Sequence, residues 1–260
     1  MIIKKNAIIT VFILTEIGFT SVAEADLLPE TVNGINVVYD TVTNVTWTAD
    51  ANLLGTLENQ AIAQTGSDVT LLNTIISDSN GVINDLPNNL DSPNQNSGIY
   101  NLSLSDFSSN DLVDWWGAQA FINYLNNISY GGVSDWSLPI ALDTGESSNQ
   151  LSQLFSTMYL DYANAGQSYI QSIFTDLNYN NIYWLSNENI TNPGQAFNLV
   201  LSSPEWFVQG KNVYSYAWAV SPGNITAVPL PSAFWFFIGF WIIAERQKRF
   251  KMSLANNNKI

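Results

Sequence analysis

The residue types of this 260-residue chain leave open one catalytic arrangement, a pair of carboxylates placed on either side of a glycosidic bond. There is no histidine and no cysteine, which removes a Ser-His-Asp triad, a histidine- or thiolate-ligated zinc site and thiol nucleophiles. A Schiff base needs a lysine, and between residues 26 and 226 only Lys211 is available. Two sets of carboxylates have suitable spacing: Asp111 with Asp114, and Asp135 with Asp143 and Glu146. Helix capping for the first set and loop solvation for the second account for all five without chemistry, so the expectation is a protein without catalytic residues. Binding is the other option. With Trp115 and Trp116 adjacent on a helix, only one is expected to face inward, so Trp116 and Trp206 are the candidates for stacking on a sugar ring. Calcium would need converging oxygen ligands, for which the loops at 78–91 and 135–146 carry enough Asp, Asn and Glu. The stretch from Asp78 to Asp85 lacks the alternating ligands and terminal glutamate of a calcium loop, so it reads as a solvated turn and no cofactor is expected.

The elements that must hold these residues follow from periodicity. Trp115, Ala118, Ile122 and Leu125 recur at three- and four-residue spacing and predict a helix over 111–126, with Asp111 as N-cap, Asp114 in the first turn, and Asn127 with Gly131 and Gly132 at its exit. Leu151, Leu154, Phe155 and Met158 predict a second helix over 148–159. Val37, Tyr39, Val45 and Trp47 flank the turn-forming residues 40–44 and predict a hairpin over 34–48. Further strands are expected at 134–139, 182–186, 196–201, 206–208 and 215–220. Strands following a helical middle argue for a single globular α+β domain with a mostly antiparallel sheet. Residues 57–98, dense in Asn, Ser, Asp and Gly, read as a variable polar insertion on the surface with one short helix around Leu71, Leu72, Ile75 and Ile76. Trp47, Trp136, Trp184 and Trp218 sit among apolar neighbours and are assigned to the core.

The two ends are unlike the middle. Lys4 and Lys5, an apolar run at 7–14 and the Ala23-Glu24-Ala25 site form an export signal over 1–25 that is cleaved ahead of Asp26. At the other end Val228, Pro229, Leu230 and Pro231 lead into an apolar run at 233–244, then Glu245 and a basic cluster from Arg246 to Lys251. This order reads as a membrane stop with its charged end in the cytoplasm. The run falls short of the ~20 residues that span a bilayer comfortably, so a transient anchor in the cytoplasmic membrane is expected, with a plain C-terminal anchor as the alternative. Both place residues 26–226 outside the cytoplasm and make 227–260 a sorting or transmembrane tail. The net charge of −14 understates the acidity of the exported part, because every Lys and Arg except Lys211 lies in the two ends. A surface of that sign repels nucleic acid and anionic polysaccharide, and no nucleic-acid partner is expected.

The tail is similar to the PEP-CTERM sorting signal, with Leu230 where that signal has glutamate. The resemblance implies removal by an exosortase-type processing enzyme and residence at the cell surface, or outside it, in a Gram-negative bacterium. Six blocks in order, Tyr39-Asp40, Val45-Thr-Trp-Thr-Ala-Asp-Ala-Asn52, Trp116-Gly-Ala-Gln-Ala-Phe121, Tyr130-Gly-Gly-Val-Ser-Asp-Trp-Ser-Leu-Pro139, Tyr183-Trp184-Leu-Ser186 and Ala217-Trp-Ala-Val-Ser-Pro-Gly223, resemble the collagen-like-adhesin C-terminal domain family, a domain of unknown function. That resemblance implies an extracellular domain with a C-type-lectin-like arrangement, two helices flanking a small sheet in which first and last strands meet. The family's sulfated-polysaccharide ligand relies on positive charge, and this chain has Ser137 and Ser221 where the family often has arginine. The functional expectation is therefore non-catalytic binding or adhesion, with extracellular polysaccharide as the candidate partner. A structural biofilm or coat component without a specific ligand, or a carboxylate-dependent glycosidase, are the alternatives.

Overall fold

The computed structural model describes residues 27–226 apart from 109–110, 142–149, 151–152, 155, 159–166, 179 and 202. Ala23, Ala25, Val228, Pro229, Leu230, Pro231, Arg246, Asp143 and Glu146 lie outside the described residues. The chain is α+β with antiparallel sheets. Strands β1 (Leu27–Val32), β2 (Ile35–Asp40) and β3 (Val45–Thr48) form a meander, and the last strand, β9 (Val220–Pro222), returns to pair with β3. Helices α1 (Leu53–Thr65) and α2 (Val69–Asp78) follow, then the short hairpin β4 (Val82–Asn84) and β5 (Ile99–Asn101), helix α3 (Trp115–Asn127) and helix α4 (Gln167–Ile173). A second sheet has the order β6 (Ile182–Glu188), β7 (Gln195–Val200), β8 (Ser203–Gly210). Among the described residues no helix is long and apolar enough to cross a membrane.

Local chemistry explains the first sheet. The β1–β2 turn is Asn33-Gly34, both at positive φ (48° and 84°), which matches the twist of a two-residue hairpin. In the predicted 40–44 turn the Asp40 carboxylate accepts from the Val42 and Thr43 amides and the Thr43 hydroxyl, and Asn44 takes a φ of 52°. Strand β1 was not expected. Pro29 is tolerated there because β1 is an edge strand.

Two apolar clusters make the core. One gathers Trp115, Trp116, Phe121, Leu125, Trp136 and Trp184 around α3. In the other, Trp218 meets Trp47 at 4.9 Å, Phe174 at 5.2 Å and Tyr183 at 5.5 Å between ring centroids. Trp47, Trp136, Trp184 and Trp218 are all buried, as assigned.

Several elements differ from expectation. Residues 57–98 are largely ordered structure packed on the core: α1, α2 and the β4–β5 hairpin bury Leu53, Leu54, Leu72, Ile75 and Ile83 in the first cluster. Helix α3 starts at Trp115 rather than 111, because Val113 is held in bridges with Phe107 and Ser215 and Asp111 takes a left-handed φ of 61°. Asp114, not Asp111, is the N-cap, accepting from the Gly117 amide at 2.8 Å. At 134–139 there is only a single bridge from Ser137 to Val220, and of 215–220 only Val220 enters a strand, with Ser215 and Tyr216 making isolated bridges. The strand expected at 206–208 extends over Ser203–Gly210. The described residues of 148–159, Gln150, Gln153, Leu154 and 156–158, are helical, with Leu154 and Met158 buried.

Candidate functional site

The structure gives Asp111 and Asp114 different carboxylate partners, while Asp143 and Glu146 of the other set lie outside the described residues. Asp114 lies against Asp106, and Asp111 against Glu58. Asp106 caps the short turn Leu104–Asp106, accepting from the Ser103 amide at 2.6 Å and from the Tyr100 hydroxyl at 2.9 Å. Burial, and then the negative charge of Asp106, push the Asp114 carboxyl up to about 8. Burial, and then Asp111, push Glu58 up to about 8 in the same way. Glu58 and Asp114 are therefore the members that hold a proton at neutral pH. Packing is tight: a Cβ on Gly55 would come within 2.6 Å of Asp111 Cβ, and one on Gly117 within 2.7 Å of the Asp106 carbonyl oxygen. With Asp106, Asp114 and Glu58 only 1%, 4% and 2% exposed, neither pair has room for a sugar between its oxygens. They set Asp106 against the start of α3 and Asp111 against α1. Asp135 accepts a hydrogen bond from the Ser221 hydroxyl at 2.7 Å.

Trp115 and Trp116 both face inward, which corrects the expectation that one would be exposed. Trp116 has no exposed surface: its ring stacks on Tyr100 at 3.8 Å and 5°, and its Nε1 donates to Asp85 Oδ2 at 2.9 Å. Trp115 donates to the Leu185 carbonyl at 3.0 Å. The start of α3 sits between the β4–β5 side and β6, so both rings find an interior. Trp206 is exposed on β8 and packs edge-on against Phe197 at 4.9 Å.

What the two tryptophans surround is a charge that sequence reasoning did not place. Lys211, just after β8, is fully buried, with its Nζ 2.6 Å from Asp85 Oδ2 and 2.6 Å from Glu188 Oε2. The ammonium lies 4.7 Å from the Trp115 ring centroid and 5.6 Å from that of Trp116. Asp85 Oδ2 also accepts from Asn88 Nδ2 at 3.0 Å, and Glu188 Oε2 from the Leu86 amide at 2.8 Å. Asp85 Oδ1 is buried without a partner. Backbone bonds from Lys211 N to the Gly194 carbonyl and from Trp115 N to the Lys211 carbonyl fix the lysine between β7 and α3. The available signal was the lysine's isolation: one cation among so many carboxylates has every reason to be paired.

A cleft of about 660 Å³ opens between β1, β2, α1 and α4, lined by Glu30, Ile35, Asn36, Asp50, Gln60 and Tyr130 among others. Asp50 is oriented by the Thr56 hydroxyl at 2.6 Å and the Asn52 amide at 2.8 Å, and burial raises its carboxyl above the ordinary range. Glu30 accepts from Asn224 Nδ2 at 3.2 Å and from the Thr226 hydroxyl. A second, more polar opening of about 430 Å³ is lined by Asp78, Asn80, Asn84, Gln119 and Asn123. Among the described residues no group of three or more His, Cys, Asp or Glu converges as a metal site. In the 78–91 loop, the Asp91 carboxylate accepts from the Asn88 amide and side chain and from the Gly98 amide. No protein-family model matches the chain, and no curated protein matches it either.

Proposed function

We propose that this chain is an exported, non-catalytic surface or extracellular-matrix protein whose domain binds an uncharged, hydroxyl-rich polymer such as a neutral extracellular polysaccharide. The observation that carries the reading is the burial of Lys211: the one cation between residues 26 and 226 is spent inside the fold, so every exposed charge there is negative. Such a surface disfavours nucleic acid and sulfated glycans and leaves neutral ones. The β1–α1 cleft offers what a sugar uses, acceptors on Glu30, Asn36 and Asp50 and the ring of Tyr130. The carboxyls of Asp106, Asp114 and Glu58 are closed to substrate, which supports binding over hydrolysis. The return of the last strand to the N-terminal sheet supports the C-type-lectin-like arrangement that the six sequence blocks imply, with the difference that β9 pairs with β3 while β1 lies at the opposite edge. Calcium remains in this reading as an optional ligand of the 78–91 and 135–146 loops.

Two measurements test it. Screening the full chain on a glycan array, with and without calcium, is expected to show neutral glycans bound and sulfated ones not; sulfated glycans bound preferentially would overturn the reading. Intact mass of the protein recovered from its native envelope is expected to show a start at Asp26 and loss of the tail beyond the Val228–Pro231 motif to an exosortase-type enzyme. A cytosolic species starting at Met1 would refute export, and one retaining Phe250 would make the tail a plain anchor. A structural coat without a ligand is the second reading, favoured by the exposed Trp206 and Phe207 on the β8 edge.

A further inference from the structure

We propose that Lys211 and Asp85 condense into an intramolecular amide, an isopeptide bond between Lys211 Nζ and Asp85 Cγ, with Glu188 carrying the protons. The geometry is that of reactants held for the step. The amine touches the carboxyl that would acylate it and the base that would deprotonate it, both at 2.6 Å, with the Lys211 and Asp85 side chains fully buried and Glu188 at 18% exposure. In water an ammonium and a carboxylate stay apart as ions because each is well hydrated. Buried beneath two indole rings that hydration is gone, and a neutral amide with release of water becomes the favoured state.

The asymmetry of Asp85 gives each oxygen a role. Oδ2 collects three donors, Lys211 Nζ, Trp116 Nε1 and Asn88 Nδ2, whereas Oδ1 is buried with none. Glu188 takes a proton from the Lys211 ammonium, and the freed nitrogen lone pair attacks Asp85 Cγ. Negative charge gathers on Oδ2, where Trp116 and Asn88 already point their N–H groups. Oδ1 receives the ammonium proton through Glu188 and a second proton from the nitrogen as the C–O bond breaks, and leaves as water. The balance is ammonium plus carboxylate giving amide plus one water, with no oxidant, reductant or activated group. Positioning and general acid–base transfer are the two sources of rate. An ion pair alone explains the two short contacts but not the lone Oδ1.

The bond would tie residues 126 positions apart in a chain that has no cysteine for a disulfide. The test uses the full chain, unfolded in denaturant and digested with trypsin. Cleavage at Arg246 in the tail proceeds in either case and serves as the internal control. If the amide has formed, Lys211 is acylated, the Lys211–Asn212 bond is not cut, and the intact mass is one water below that of the same chain without the cross-link. A chymotryptic digest then contains one joined species holding both Asp85 and Lys211. Glu188→Gln, shown to be folded by circular dichroism, is expected to regain tryptic cleavage and the missing water, or to lose the water about 100-fold more slowly or worse. Wild-type protein of full sequence mass that is cut after Lys211 would overturn the proposal. A folded Glu188→Gln variant that loses water at the wild-type rate would overturn the assignment of Glu188.

Discussion

Glu58 shows how a single side chain can set a pH dependence. Its carboxyl is buried, has Asp111 as its neighbour, and leaves Oε1 without a hydrogen-bond partner. The folded chain therefore holds its proton up to about 8, whereas the unfolded chain releases it near the ordinary value of 4.5. Between those limits the native state binds more protons than the unfolded state, so stability is fully present below the ordinary glutamate range and is lost as pH rises to about 8. Glu58→Gln keeps the shape and a donor toward Asp111 but cannot ionise. Denaturant melts from pH 5 to 8 should show its stability falling less steeply than wild type, the slope differing by about one proton. Parallel curves for the two proteins would remove the argument. The same logic makes Asp114→Asn informative, with the difference that Asp114 also caps α3.

At the scale of elements, the tryptophans decide most of the fold. Trp136 donates to the Tyr130 carbonyl at 2.8 Å and is fixed through its backbone by Asn126, so it locks the exit of α3; Trp218 joins β3, β6 and α4 and donates to the Thr48 carbonyl at 2.9 Å. Truncating either to Ala should cost about 3–5 kcal/mol, a large part of the 5–15 kcal/mol typical of a domain. Thermal melts measure it, and variants that melt like the parent would mean that neither ring is structural. These residues were legible because a large ring inside an alternating or 3.6-residue pattern has one economical place to go. The β2–β3 hairpin, α3 and β6 to β8 were read from the same periodicities. Helix α2 was read as the short helix around Leu71, Leu72, Ile75 and Ile76; α1 was not, because Thr, Asn and Gln make up much of it and the buried Glu58 interrupts its inner face. The Lys211 cluster was not legible either. Its members Asp85, Glu188 and Lys211 come from three loops or strand ends far apart in the chain, and only the tertiary fold brings them to one point.

For the molecule as a whole, two electrostatic effects act together, and salt separates them. All exposed charge between residues 26 and 226 is negative, so compaction gathers like charges and low ionic strength opposes it. Counterions relax that repulsion over a distance of about 10 Å at 0.1 M salt. The buried pairs at Glu58 and Asp114, and the buried carboxyl of Asp106, are screened far less because ions do not enter the interior. Their raised proton affinities make the folded state lose stability as pH climbs from the ordinary carboxylate range to about 8, whatever the salt. Added sodium chloride at pH 8 should therefore raise the melting temperature, while the fall in stability from pH 5 to pH 8 persists at high salt. If salt does nothing, surface repulsion is negligible; if high salt abolishes the pH slope, the slope comes from the surface and not from the buried pairs. Calcium matched to sodium in ionic strength adds the last distinction. Equal shifts mean that it acts only as a counterion, and a larger shift with calcium means that oxygens of the 78–91 or 135–146 loops close around it.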